Sequence, residues 1–383
     1  MEVIKGNVDC LPTDIGYQED RLEVVNQCFE KLIQEDKLLS GSYCLARDNK
    51  VFANNALGKL TYIEGDERVF QPDSVYGIYS VTKMFAAVAI LQLVENGRIR
   101  LDQLVGEIIH EFQTPPFQQI QVIHLLTHTS GLYCDDGVKE DKHHEGVEQI
   151  MCSDNWLHTL LSKGVSNEPG KEWTYCSLGY NVLGEIITRI SGIFCHDYIT
   201  DNILKPCEMH DTHWEYSSDF KERYNMRFEW TKEEIDRADS KNQQRPDKLI
   251  PRTWNGLLST SGDLMKFGTM LLNNGKYNGR HVLGRKAVES YRRIHTSTEV
   301  VTYCWGAKGE HKSFGAGCDI FRESDVSQLI TPGTFSHEGW GTCCLAIDYK
   351  ERFVVVWSSQ FKGYEWYPEP LRNMASVIWS GLE

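Results

Sequence analysis

The segment from Val81 to Glu95 (VTKMFAAVAILQLVE) is apolar on nearly every side of a helical wheel and is closed by Asn96-Gly97, a helix-stop pair. A helix of this kind cannot lie on a surface, so it has to be a central packed element with the remaining chain built around it. Its purest apolar stretch, Met84 to Val94, is eleven residues with one Gln. A bilayer-spanning helix needs roughly 20 apolar residues, so this is a buried helix and not an anchor.

Elements that wrap such a helix are visible on both sides of it. Glu19 to Glu35 places Leu22, Val25, Phe29, Leu32 and Ile33 at helical spacing. Gly41 to Val51 and Phe52 to Ile63 are rich in β-branched and aromatic residues, are divided by Asp48-Asn49 and Gly58, and read as short strands joined by turns. From Leu101 to about Lys248 short helical pieces are cut by Pro115-Pro116, Ser130-Gly131 and Pro169-Gly170, and Tyr216 to Lys248 reads as exposed connecting segments with local helices rather than core. Beyond Gly256 come a helix around Asp263 to Asn273, strands at Gly341 to Asp348 and Phe353 to Ser359, and a helix from Pro370 to Trp379. The expected fold class is α/β (α+β): an antiparallel sheet flanked by helices, built from both chain ends. Residues 1–100 and 255–383 form the sheet lobe and 101–254 a mostly helical inserted lobe.

Charge narrows the partners. With 40 Lys plus Arg against 54 Asp plus Glu, the net charge is −14, and no basic stripe is present to neutralise phosphates. No nucleic-acid or membrane partner is expected. The start, MEVIKGNVDCLPTDIGYQEDR, has no cationic end and no apolar core, so a cytoplasmic location is expected. The 12 Cys contain no C-x-x-C pair and read as reduced, buried small hydrophobes, including Cys176, Cys343 and Cys344.

Chemistry is sparse outside one place. There is no G-x-S-x-G, H-E-x-x-H, G-x-x-x-x-G-K-[ST] or G-x-G-x-x-G, which removes several common site types. His143 to Glu148 (HHEGVE) carries metal-capable side chains in a charged stretch without a second ligand cluster, so no metal and no cofactor is expected. S-x-x-K occurs at Ser80/Lys83, Ser218/Lys221 and Ser359/Lys362, but only Ser80 lies where an extended segment enters the apolar helix. Three residues apart on a helix, Ser80 and Lys83 share a face. A serine hydroxyl needs a base within hydrogen-bond reach, and a lysine serves as that base only where burial disfavours its ammonium. The first helical turn adds unpaired backbone amides that favour an oxyanion near Ser80.

Two further segments belong with this pair. EWTYCSLGYNVLG (Glu172 to Gly184) sets Tyr175 and Ser177 before a helix ending near Ser191-Gly192, and FSHEGWGTCCLA (Phe335 to Ala346) sets His337 and Gly339 at the start of an apolar strand. In this order, S-x-x-K, then Y-x-[NS], then H-x-G, the chain resembles the serine β-lactamase and penicillin-binding protein family. Within it the match is to the class C β-lactamase-like branch of esterases, DD-peptidases and D-aminopeptidases. The resemblance extends through IQVIHLLTHTSGL (Ile120 to Leu132) and GLLSTSGDLMKFGTMLLNN (Gly256 to Asn274), roughly Gly41 to Ser359 in all.

That resemblance implies an active site in the cleft between the lobes, with Ser80 as acylated nucleophile, Lys83 as its base and Tyr175 as second base. The backbone amides of Ser80 and Trp340 would form the oxyanion hole, with Ser177, His337, Glu338 and Gly339 on the substrate. Trp340, Tyr180 and Trp305 would line an apolar pocket, while His128 would bind backbone in a turn and Asp263 would cap its helix. Two departures shift the substrate. Ser177 replaces the family's frequent Asn, and His337-Glu338-Gly339 replaces K-T-G, losing a fixed cation for a substrate carboxylate. The expected function is therefore a serine hydrolase acting through an acyl-enzyme on a small carboxylic ester or related acyl compound. Alternatives are a DD-peptidase, D-aminopeptidase or weak class C-type β-lactamase, an acyltransferase, or an acylated sensor or partner-binding pseudoenzyme without turnover. Nothing in the sequence sets the oligomeric state.

Overall fold

The computed structural model describes residues 1–133, 150, 153, 155–225, 250–302, 311–324, 329–340, 343–361 and 369–383. An edge strand β1 (Ile4–Lys5) precedes helix α1 (Asp20–Gln34), followed by the hairpin β2 (Leu38–Arg47) and β3 (Lys50–Gly58). Asp48 (φ 51°) and Asn49 (φ 67°) both sit in the left-handed region, the geometry of a two-residue hairpin turn, and short polar side chains tolerate it best. The strand β4 (Tyr76–Gly77) then leads through a single 3-10 turn, Tyr79–Val81, into α2 (Thr82–Glu95). Short strands β5 (Glu172–Trp173), β6 (Leu258–Ser259), β7 (Lys276–Tyr277), β8 (Arg280–His281) and β9 (Val301–Thr302) follow. The chain closes with β10 (Asp319–Ile320), β11 (Phe335–Gly339), β12 (Cys343–Asp348), β13 (Phe353–Phe361) and a helix, Glu369–Trp379.

Seven strands form one antiparallel sheet in the order β1-β3-β2-β13-β12-β11-β10, so strands from the start of the chain make one side and strands from its end the other, joined where β2 pairs with β13. Both faces are covered, and the two-residue period sorts the side chains. On β13, Val354 and Val356 face the core that contains α2, whereas Val355 and Trp357 face α1 and the last helix. Every residue of α2 from Thr82 to Leu93 is buried, as its uniform apolarity requires. Its Phe85 ring stacks on Phe267 of the Ser261–Leu272 helix at 3.9 Å. On the other face Gly41 lets α1 approach, because a Cβ there would lie 2.2 Å from the Phe29 ring.

Four expectations change. The stretch from Tyr216 is not all exposed connection: Tyr216, Phe220 and Tyr224 recur every four residues and pack with Val75 into a small buried aromatic cluster. The rest of that stretch, 226–248, lies outside the described residues. Asp263 does not cap its helix; Thr260 does, its Oγ1 accepting from Asp263 N at 3.1 Å. The Asp263 carboxylate instead accepts from Asp211 N (2.8 Å), Thr212 Oγ1 (2.9 Å) and Lys266 Nζ (2.7 Å), tying the helix start to the segment before it. The segment with His337 is a strand of its own, β11, antiparallel to β12, rather than the start of one continuous strand. The strands at Gly341 and Phe52 begin at Cys343 and Lys50, with 341 outside the described residues.

Free cysteines are mostly buried, among them Cys44, Cys176, Cys318, Cys343 and Cys344, while Cys10 and Cys28 are half-buried. Cys134, Cys152 and Cys304 lie outside the described residues, as do His143 to Glu148 and Trp305. Among the described residues no helix is long and apolar enough to cross a membrane.

Candidate active site

The turn that carries Ser80 is held from both sides by one short segment. Ile78 N donates to Leu257 O (3.1 Å), and Leu257 N donates back to Thr82 Oγ1 (3.2 Å), while β4 pairs with β6. Between them Tyr79 takes φ 43°, a left-handed conformation that costs a bulky side chain about 1–2 kcal/mol. The sharp bend leaves Ser80 half-buried at the head of α2.

One helical turn on, Lys83 is completely buried. Its Nζ donates to Ser80 Oγ at 2.9 Å and to Trp254 O at 3.0 Å. It also lies 4.8 Å from the centre of the Tyr175 ring, 5.5 Å from that of Tyr180 and 5.9 Å from that of Trp254. A buried amine is costly unless its hydrogens find partners, and here the hydroxyl, the carbonyl and the aromatic faces meet them.

Tyr175 sits on the link between β5 and the helix Ser177–Ser191. It packs with Trp173, Val300 and Phe314. The His128 ring stacks on it at 4.4 Å with an interplanar angle of 30°. His128 stands in a turn at φ 57°, as the sequence suggested, and its Nδ1 accepts from Cys176 N at 3.0 Å. Burial, together with Lys83, His337 and Lys312, pushes the His128 imidazole well below its ordinary pKa, so it is neutral. Tyr180 is a sealed phenol by contrast: burial raises it far above its ordinary range, and its hydroxyl donates to Leu126 O at 2.9 Å.

From the sheet side, β11 brings His337 to within 6.2 Å of the Tyr175 ring centre. The contact of His337 Nδ1 with Glu338 O at 2.8 Å requires the proton on Nδ1, since a carbonyl only accepts. Nε2 therefore offers a lone pair, and it is buried without a hydrogen-bond partner among the described residues. Burial, followed by the nearby Lys83, lowers the His337 pKa to about 4, so the third motif carries an uncharged ring. Gly339 is needed for the approach: a Cβ there would lie 2.3 Å from Ile78 O. Gly339 is thus pressed against Ile78, two residues before Ser80.

The structure gathers Ser80, Lys83, Tyr175 and His337 in one place and sets Gly339 against the turn that carries Ser80. Ser177 is buried at the first position of its helix, and Asn181, one turn on, is buried as well. Glu338 follows His337 along the pleat, in register with Cys344, and adds to the effect of burial in pushing that thiol up. Trp340 is 43% exposed at the end of β11. Of the other S-x-x-K pairs, Ser218 starts a 3-10 turn and Ser359 is buried in β13, while Lys362 lies outside the described residues. Sequence reasoning missed Trp254, whose carbonyl holds Lys83, and the pair Lys312–Asp319, with Lys312 Nζ 4.9 Å from the centre of the Trp173 ring. No motif marks any of the three.

Comparison with known proteins gives the family and the fold. A family model described as Beta-lactamase matches residues 25–374. Protein flp of Staphylococcus aureus is 27% identical over 215 residues, covering 54% of this chain, and the chain spans 41% of that protein's length. Among solved structures, the chain superimposes on EstCE1, described as a hydrolase with promiscuous acyltransferase activity, with a TM-score of 0.77 at 17% identity, covering 94% of this chain and 99% of that one. A penicillin-binding protein homologue from Caulobacter crescentus gives a TM-score of 0.74 at 18% identity, covering 98% and 100%. At these identities the structural likeness establishes the fold.

Proposed function

The chain belongs to the beta-lactamase family, and from that premise we propose that it is a serine hydrolase that forms and hydrolyses an acyl-enzyme on Ser80, acting on small, uncharged carboxylic esters. The observation that carries this reading is the contact of the buried Lys83, through Nζ, with Ser80 Oγ at 2.9 Å, beside the Tyr175 ring. Ser80 and His337 come from the sheet portion, 1–100 and 255–383, and Tyr175 and His128 from the helical portion, 101–254, which supports a site between the two.

In the forward step Lys83 passes a proton to the Tyr175 phenolate and takes the Ser80 hydroxyl proton as Oγ attacks the ester carbonyl carbon. The oxyanion that forms is met by the backbone N–H groups of Ser80 and Trp340. Collapse breaks the bond to the alkoxide, which leaves as the alcohol with a proton delivered by way of Lys83 and Tyr175. Water then attacks the acyl-enzyme, with Tyr175 as base, and restores Ser80. Ser177 and Glu338 border the substrate.

The preference for uncharged esters rests on His337. With a pKa of about 4 it supplies no cation near neutral pH where a K-T-G lysine would stand. The test is hydrolysis of p-nitrophenyl acetate and butyrate, nitrocefin and a D-alanyl p-nitroanilide, by wild type and Ser80→Ala. Fast ester release with slow nitrocefin and anilide cleavage supports the proposal. Faster nitrocefin or D-alanyl cleavage overturns the ester preference, and wild-type turnover by Ser80→Ala removes the mechanism.

A further inference from the structure

We propose that His128 is a positioning residue for Tyr175, fixing the phenol relative to Lys83 by gripping the three-residue link on which it stands. The inference rests on the reading of Tyr175 as a base and assigns a role to a residue outside the reacting groups.

The link runs from Thr174 to Cys176, between a two-residue strand and the first turn of a helix whose N-cap residue, Cys176, is extended and gives no side-chain cap. Trp173 of that strand packs beside the Tyr175 ring at 6.1 Å between centres, and Phe314 joins the same cluster. His128 contacts all three residues of the link. Its carbonyl accepts from Thr174 N at 2.9 Å, its Nδ1 accepts from Cys176 N at 3.0 Å, and its ring lies against Tyr175 at 4.4 Å.

The grip is itself rigid. Beside His128, Leu126 O is taken by the Tyr180 hydroxyl (2.9 Å) and Thr129 O by Gly170 N (2.7 Å). Tyr180 is also one of the rings beside Lys83, so the two halves of the base pair share a support. The arrangement is not what packing alone would select. His128 is 1% exposed, holds a left-handed φ of 57°, and with Nδ1 accepting carries its proton on Nε2, which has no hydrogen-bond partner among the described residues. The Trp173 and Phe314 rings stand steeply to it, at 78° and 68°. An apolar residue would fill this space without an unmet polar atom, but it would remove the acceptor that His128 Nδ1 gives to Cys176 N.

A double-mutant cycle on p-nitrophenyl butyrate tests the role, with folding checked by near-UV circular dichroism. His128→Leu is expected to lower kcat about tenfold or more with KM changed less than about threefold, as for a misplaced catalytic group. His128→Asn, which keeps an acceptor at the Nδ1 position and tolerates the left-handed turn, is expected to recover kcat to within about threefold of wild type. Because His128 acts through Tyr175, His128→Leu added to Tyr175→Phe is expected to cost less than about twofold beyond Tyr175→Phe alone. If His128→Leu does not fold, His128→Gln, whose longer amide misses the Nδ1 position, takes its place in the cycle. Wild-type kcat in the Leu variant, equal losses in the Asn and Leu variants, or additive losses in the cycle each overturn the positioning role while leaving Tyr175 in place. A Tyr175→Phe enzyme with full activity instead overturns the base assignment, and the role of His128 with it.

Discussion

Lys83 Nζ stands 2.9 Å from Ser80 Oγ across one turn of chain, and the same amine lies 4.8 Å from the centre of the Tyr175 ring, which arrives from a different part of the sequence. The first distance follows from helical spacing. The second depends on the fold, which folds the link after β5 over the head of α2. Both groups are therefore expected to be needed. Lys83→Ala and Tyr175→Phe should each lower kcat on p-nitrophenyl butyrate by about a hundredfold or more, measured by steady-state release of p-nitrophenol. A loss below about tenfold in either variant would remove that residue from the proton path.

His337 gives a pH signature in stability. Its folded pKa of about 4 lies below the ordinary 6.5. Between those values the unfolded chain takes up a proton that the folded chain does not, so stability falls as pH drops from about 6.5 to about 4. The loss from this group amounts to on the order of 3 kcal/mol, by about 1.4 kcal/mol per unit. His337→Gln should flatten that acid limb of the urea midpoint against pH. An unchanged slope would mean that His337 is not held neutral by the fold.

Gly339→Ala places a methyl group 2.3 Å from Ile78 O. Backbone has to move on one side or the other, separating β11 from the turn that carries Ser80. The expected result is a loss of about 1–3 kcal/mol in stability, as for overpacking. A fall in kcat of about tenfold or more accompanies it, because the shift is passed to the nucleophile turn. Wild-type kinetics would show that β11 need not sit so close.

Asp263 is a stability site away from the chemistry. Asp263→Ala leaves Asp211 N without its acceptor, takes one of the two partners of Thr212 Oγ1 and removes the ion pair of Lys266. Chemical denaturation should show a loss of about 2–4 kcal/mol, with kcat of the folded enzyme within about twofold of wild type.

The elements legible in the sequence were those whose signal is local. The all-apolar α2 announced its burial, Asp48-Asn49 its hairpin turn, and Ser80-x-x-Lys83 its shared helix face, since each needs only a period or a turn rule. Tyr175 and His337 were found through the order of motifs, because no spacing brings residues 83, 175 and 337 together. What stayed hidden arises from tertiary contact. Trp254 matters through its carbonyl, which any residue possesses, and the burial of Tyr216, Phe220 and Tyr224 depends on Val75 lying opposite. Asp263 looked like a helix cap because Asp favours that place, but Thr260 sits one turn closer to the end and takes the cap first. The grip of His128 on Cys176 joins residues 48 apart, beyond the reach of any local pattern.

Trapping the acyl-enzyme tests the central claim most directly. Wild type and Ser80→Ala are each mixed with p-nitrophenyl butyrate, quenched in acid within the first turnovers, and measured by intact mass and peptide mapping. The expected result is a butyryl adduct on the peptide containing Ser80 in wild type and none in Ser80→Ala. Turnover of the ester with no adduct at any quench time, or an adduct on another residue that persists in Ser80→Ala, would contradict it.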